Sequence, residues 1–256
     1  MALAASGLRA AKSVADASAG ADAVITILTT PAVVEAVWLG ADGLLEAAPK
    51  TAVLMQMSTI SPELSRRLGE AAVSRGFRYL EVPISGTSTV VMRGGGTMFV
   101  GGDAALAETC RPVCDAIAAK TVYVGGVGDA SVAKLAANLI GGMSAIALAE
   151  ALVLGAKSGV EPARLLAALR EAPLRNGTMD TRGPLMVSHS FPPHIRLDLY
   201  LKDFGLMLEE GKRLGMPLPL TSVAHQLCTA ASAAGHGGED LAAVITTLEY
   251  LAGIKR

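Results

Sequence analysis

Aromatic residues are scarce in this sequence: one Trp, four Tyr and four Phe, 4% of the chain. Charge is scarce as well, at 18% of residues against 51% hydrophobic, and 22 basic side chains nearly cancel 23 acidic ones. A net charge of -1 provides no basic field for nucleic acid or anionic lipid. So little charge beside so much apolar surface excludes a disordered chain, and the 28 glycines lack the every-third repeat of collagen. The three cysteines, Cys110, Cys114 and Cys228, are an odd number without metal or redox spacing, and they read as small buried side chains in a reducing cytosol. Gly-x-Ser-x-Gly and His-Glu-x-x-His are both missing, and His189 and His194 stand five apart, which suits no pair on one helical face. Neither a hydrolase nucleophile nor a metal site is expected.

No secretory leader is expected either, because the opening Met-Ala-Leu-Ala-Ala-Ser is short and weakly apolar. The long apolar run at 135–156 contains Asn138, Ser144 and Glu150, so it reads as a core helix rather than a membrane span. The expectation is a soluble cytoplasmic protein with neither nucleic-acid nor membrane partners.

The first half alternates short β-branched runs with helical spacing. Strands are predicted at 23–28, 51–57, 78–82, 97–100 and 121–124. Helices are predicted at 31–39, from Ser61 to about 74, and at 103–118. This alternation predicts an α/β fold with a largely parallel, doubly wound sheet. Beyond Gly128 no strand is expected, only helices near 130–158, 161–170, 178–187, 197–214, 218–233 and 240–252. The sequence therefore divides into an α/β domain at 1–127 and an all-helical domain at 128–256.

Ligands of an open parallel sheet bind at the carboxyl ends of its strands. Three such ends carry small polar residues, Thr29-Thr30, Ser58-Thr59 and Ser85-Gly86-Thr87. Any one of them could be an ordinary helix N-cap, but three on one rim point to a ligand-binding edge. The nearest approach to a dinucleotide fingerprint, Gly-Val-Gly-Asp-Ala-Ser at 126–131, ends in Ser and reads as an interdomain turn. Gly94-Gly95-Gly96 reads as a flexible loop. Lys134 stands near the start of the long helix with Asn138 one turn later. A lysine is a poor electrostatic choice beside the positive end of a helix. Desolvated there, its pKa would fall towards neutrality, and it could exchange a proton with a substrate oxygen. Lys202-Asp203 follows an apolar run and admits a surface ion pair as the plain alternative.

Several segments in this order resemble the β-hydroxyacid dehydrogenase family, relatives of 3-hydroxyisobutyrate dehydrogenase and tartronate-semialdehyde reductase within the 6-phosphogluconate dehydrogenase-like group. They are Ala21-Asp22-Ala23-Val24-Ile25-Thr26-Ile27-Leu28, Met57-Ser58-Thr59-Ile60-Ser61-Pro62, Val82-Pro83-Ile84-Ser85-Gly86, Gly96-Thr97-Met98-Phe99-Val100-Gly101-Gly102, Lys134-Leu135-Ala136-Ala137-Asn138 and Leu201-Lys202-Asp203. The resemblance implies an NAD- or NADP-dependent oxidoreductase that moves a hydride between nicotinamide and a small 3-hydroxy acid or its semialdehyde. It further implies a homodimer or homotetramer. By matching motif, Lys134 is the general acid/base. Ser85, Gly86 and Thr87 hold the substrate carboxylate with help from Asn138. Leu28, Thr29 and Thr59 line the cofactor groove, and Lys202 closes over the cofactor.

The sequence departs from the family pattern in three places. Glu81 replaces a usual Asp, and Thr87 replaces the second Gly of a Ser-Gly-Gly run. The opening strand, Gly-x-Gly-x-x-Gly turn, helix and second strand have no counterpart. Residues 1–7 resemble the tail of the helix that follows them, so the Rossmann-type domain is expected to be N-terminally incomplete by about 35–45 residues, the size of a βαβ unit, with weak or absent cofactor binding if the chain is made as written. Two alternatives stand beside the dehydrogenase. One is a truncated, catalytically silent homologue that only dimerises, with Gly141-Gly142 admitting a partner helix. The other is an imine reductase of the same fold, against which Lys134 argues.

Overall fold

The computed structural model describes residues 7–254, and they form two compact units. One comprises the chain up to Gly86 together with Val90–Lys134; the other comprises Thr87–Thr89 and the chain from Leu135 onward. The helical tail expected at residues 1–7 lies, except for Gly7, outside the described residues.

In the first unit the order is α1 (Val14–Ser18), β1 (Ala23–Thr26), α2 (Pro31–Leu39), α3 (Leu44–Ala47), β2 (Val53–Gln56), α4 (Pro62–Ser74), β3 (Arg78–Glu81), β4 (Ile84–Ser85), α5 (Ser88–Met92), β5 (Thr97–Gly102), α6 (Ala104–Asp115) and β6 (Lys120–Gly125); the first two residues of α5 belong to the second unit. Local chemistry sets the helix starts. Thr30 caps α2 and Ser61 caps α4 through their hydroxyls, and each is followed by a proline, whose missing N–H costs nothing in a first turn.

The sheet runs β1-β2-β3-β5-β4, with β6 beside β5. β1, β2 and β3 are parallel in the register Ile25–Met55–Leu80, and β6 is parallel to β5. β5 itself runs antiparallel to β3 and to β4, so the sheet is more mixed than the alternation predicts. The connections explain this. Parallel neighbours need a crossover, and helices lie between β1 and β2, β2 and β3, and β5 and β6. Between β3 and β5 the chain has only the two-residue β4 and the short α5, and it reverses.

β2 is buried along its whole length, as expected of a central strand covered on both faces. One face packs Trp38, Leu54, Leu68 and Tyr79; the other packs Met55, Leu80, Met98 and Cys114. The single Trp38 is fully buried, donates its indole N–H to Thr26 Oγ1 at 3.0 Å and meets Tyr79 edge-on.

From Asp129 the chain is helical: α7 (Asp129–Lys157), α8 (Pro162–Glu171), α9 (Gly177–Thr181), α10 (Gly183–Ser188), α11 (Leu197–Leu214), α12 (Pro219–Ala231) and α13 (Val244–Leu251), with a π-helical turn at Ser232–His236 and a 3-10 turn at Leu241–Ala243. The helix expected at 178–187 breaks at Arg182, where Pro184 opens α10. α7 is a core helix: Ala145, Leu148, Ala149 and Leu152 pack in one cluster with Phe204 and Met207 of α11. Gly142 permits that approach, since a Cβ there would lie 2.6 Å from the Phe204 ring. The glycine pair therefore receives α11 of the same chain rather than a partner helix. Asp240, fully buried, accepts from Arg182 and from the backbone N–H groups of His194, Ile195 and Ala242, which together satisfy its charge.

Candidate active site

At the carboxyl end of β1 the backbone is held from β2. The Ser58 hydroxyl accepts the Leu28 N–H at 2.8 Å and reaches the Thr26 carbonyl. Ser58 is in turn fixed by buried Gln56, whose amide donates to the Ser58 carbonyl and accepts the Ser58 N–H. Leu28 is half-buried, Thr29 exposed and Thr59 half-buried. Thr30 serves as the cap of α2, so one of the rim residues has the plain structural role. Leu28, Thr29 and Thr59 thus lie just beyond the carboxyl ends of β1 and β2, where dinucleotides bind in open α/β sheets.

Ser85 lies in β4, paired with Thr97 of β5. The next residue, Gly86, has φ +147°, and a Cβ there would stand 3.2 Å from the Gly96 Cα. Gly96 itself has φ +93°. Gly96, the last of the three glycines, is thus the backbone against which Ser85-Gly86 packs. Thr87, half-buried, belongs to the second unit.

Lys134 is 7% exposed, in the second turn of α7. The start of that helix is held by a residue that the sequence marked only as a replacement for a usual Asp. Glu81, at the end of β3 and fully buried, accepts the Gly128 N–H at 2.6 Å, the Ala130 N–H at 2.7 Å and the Ser131 hydroxyl at 2.8 Å. Ser65 also donates to Glu81, and Tyr79 hydrogen-bonds Ser65 behind it. Burial holds the Tyr79 phenol well above its ordinary range; the Ser65 bond opposes this and the Glu81 charge adds to it. The glycine turn at 126–131 therefore directs its Gly128 and Ala130 amides to the chain's own carboxylate. A carboxylate at this position also complements the positive end of the helix, so the unfavourable setting expected for Lys134 is offset.

Asn138, one turn beyond Lys134, is 9% exposed. Its amide donates to Asp203 Oδ2 at 2.7 Å, and its backbone carbonyl accepts the Tyr200 hydroxyl at 3.1 Å. Lys202 Nζ stands 2.8 Å from Asp203 Oδ1, an ion-pair contact without hydrogen-bond alignment. Lys202-Asp203 is therefore no surface pair: Asp203 is buried and joins Lys202 to Asn138. Of the residues singled out in the sequence, Leu28 and Thr59 are linked through Ser58, and Asn138 and Lys202 through Asp203. A charged residue set between the apolar Leu80 and Val82 was the local signal for Glu81. For the pairing of Asn138 with Asp203, 65 residues away, no local signal exists.

The arrangement combines a polar strand-end rim, a serine–glycine loop and a buried lysine, and comparison with known proteins gives it a class. Residues 1–125 match the family model of the NAD binding domain of 6-phosphogluconate dehydrogenase. Residues 128–248 match that of the NAD-binding of NADP-dependent 3-hydroxyisobutyrate dehydrogenase. The chain is 33% identical to the 2-(hydroxymethyl)glutarate dehydrogenase of Eubacterium barkeri over 99% of its own length and 84% of that relative's. Among solved structures, it resembles 3-hydroxyisobutyrate dehydrogenase of Mycobacterium tuberculosis, solved with L-serine, at 32% identity and a TM-score of 0.82, covering 93% of this chain and 82% of that one. It also resembles the Salmonella typhimurium 3-hydroxyisobutyrate dehydrogenase at 28% identity and a TM-score of 0.83, covering 91% of this chain and 82% of that one. The chain belongs to the β-hydroxyacid dehydrogenase family, NAD(P)-dependent oxidoreductases of small hydroxy acids and their semialdehydes.

Proposed function

We propose that this chain moves a hydride between NAD or NADP and a small 3-hydroxy acid or the matching semialdehyde, with Lys134 as the proton-transfer group. The observation that carries this reading is the burial of Lys134 together with Asn138, one turn apart on α7, with Asn138 fixed by Asp203. In reduction the Lys134 ammonium gives its proton to the oxygen that develops negative charge; in oxidation its amine takes the hydroxyl proton. The nicotinamide supplies or accepts the hydride when bound. Ser85, Gly86 and Thr87 hold the substrate carboxylate through hydroxyl and backbone N–H groups. Asn138 orients the reacting end: with one amide N–H committed to an acceptor-only carboxylate, its Oδ1 is left to accept from a substrate donor. Leu28, Thr29, Thr59 and Lys202 bind the cofactor.

The protein works in the cytoplasm as a homodimer or homotetramer. An apolar groove of about 520 Å³ between α12 and α13, lined by Val223, Leu227, Tyr250 and Leu251, supports self-association. The direct test is turnover of a panel of 3-hydroxy acids at saturating NAD+ and NADP+. Activity on at least one, lost in Lys134→Ala while cofactor affinity is kept, is the expected result. Equal turnover in the variant removes Lys134 from its role.

A further inference from the structure

We propose that Glu81 is the positioning residue for Lys134, and that it acts by fixing the first turn of α7 from the end of β3. This inference rests on the reading of Lys134 as the proton-transfer group. The two helical residues that Glu81 holds, Ala130 and Ser131, stand four and three positions before Lys134. In an α-helix those positions lie directly beneath it on the same face. The clamp therefore acts on the turn that supports the lysine.

The carboxylate is built in with care for its cost. Burying a charge is unfavourable unless its lone pairs are met, and Glu81 is fully buried with four donors on its two oxygens. Oε1 takes the two backbone N–H groups of Gly128 and Ala130; Oε2 takes the hydroxyls of Ser131 and Ser65. Space for it is made by Gly101 of β5, where a Cβ would lie 2.5 Å from Glu81 Oε1. Stability alone does not call for this arrangement, since a helix N-terminus can be capped by its own preceding residue, as in α2, α4 and α6. What a cap from β3 adds is a fixed distance between the first turn of α7 and the sheet. Glu81 is followed three residues later by β4, which carries Ser85. One short segment thus bears both the clamp beneath Lys134 and the serine proposed to hold the substrate.

The test compares Glu81→Ala, Glu81→Gln and Ser131→Ala in the whole chain, by steady-state kinetics and by NMR of the Lys134 amine. Reductive 13C-methylation labels the amine, and Lys134→Arg assigns its signal. Glu81→Ala is expected to lower kcat by about 10- to 100-fold, the scale of a misplacement near 1 Å, and to move the Lys134 resonance, with cofactor Kd unchanged within about twofold. Glu81→Gln keeps an oxygen for the two backbone N–H groups, and the serine hydroxyls can turn to accept from its amide. It is expected to recover most of both losses. If Glu81→Ala does not fold, Ser131→Ala, which removes one bond, reads the same effect on a smaller scale. A folded Glu81 variant with a lower melting temperature, an unmoved Lys134 resonance and unchanged kcat overturns the proposal. Should Lys134→Ala leave turnover intact, the proton-transfer reading fails by itself, and the resonance still decides what Glu81 does.

Discussion

Asp203 holds Asn138: the carboxylate takes the amide N–H at 2.7 Å, and its other oxygen faces the Lys202 ammonium at 2.8 Å. Because an ionised carboxylate only accepts, it fixes which end of the Asn138 amide points away. Replacing it with Asn removes the charge and allows the amide to invert. Hydrogen bonds to charged groups contribute about 1.5–3 kcal/mol, so Asp203→Asn is expected to lower kcat/KM by about 10- to 100-fold. Stopped-flow or steady-state rates with the best substrate of the panel measure it. A change below twofold would show that the amide is oriented by something else.

Lys134 can be separated from a mere positive charge. General acid–base groups contribute about 10²–10⁴-fold, and Lys134→Ala is expected to lose that much kcat. Arginine keeps the charge but does not release a proton near neutral pH, so Lys134→Arg is expected to be nearly as slow as the alanine variant. If arginine restores turnover, the lysine contributes electrostatics rather than a proton.

The contact of Gly142 with Phe204 sets the price of any side chain at that position. A Cβ would sit 2.6 Å from the Phe204 ring and 2.8 Å from that of Tyr200. Overpacking of this kind costs about 1–3 kcal/mol, so Gly142→Ala is expected to lower the melting temperature by several degrees, at about 2–4 °C per kcal/mol for a chain of this size. An unchanged melting temperature in calorimetry would mean that α7 and α11 separate without cost.

The three thiols make the pH dependence of stability predictable. Burial pushes Cys114 up to about 11 and Cys228 up to about 12, and Cys110 is raised for the same reason. A folded-state pKa above the unfolded value contributes stability that is complete below the ordinary thiol value of 9.0 and is lost as pH rises through 11 and 12. The guanidinium midpoint is therefore expected to fall steadily above pH 9, less so in Cys228→Ala. Ellman's reagent at pH 8 is expected to find these thiols closed until the chain unfolds. Rapid labelling of the native protein would contradict this.

The groove between α12 and α13 leaves Val223, Tyr250 and Leu251 largely exposed, at 58%, 83% and 68%. If a second copy covers it, Leu251→Glu is expected to shift sedimentation towards the monomer, since an unpaired carboxylate cannot be buried cheaply. A sedimentation coefficient identical to that of the parent would assign self-association to another face.

Much of this was legible in the sequence where the cause is local. The starts of α2 and α4 follow from Thr30-Pro31 and Ser61-Pro62, and the bounds of α11 follow from apolar spacing closed by Gly215. Lys134 and Asn138 were visible because helical spacing puts them on one face. What remained hidden was long-range. Glu81 and Ser131 are 50 residues apart, and nothing in the neighbourhood of either announces the other. The two-residue β4 was too short to carry a periodic signal, and with it the reversal of β5 went unseen. Gly141-Gly142 showed that something must come close, but composition could not say that the visitor was α11.

The grip of Ser58 on Leu28 is a grip on main chain alone. The adjoining Thr29 side chain extends into solvent, outside that bond. A substitution at residue 29 therefore changes what the edge of the sheet presents to a ligand, while the scaffold beneath it stays as stiff as before.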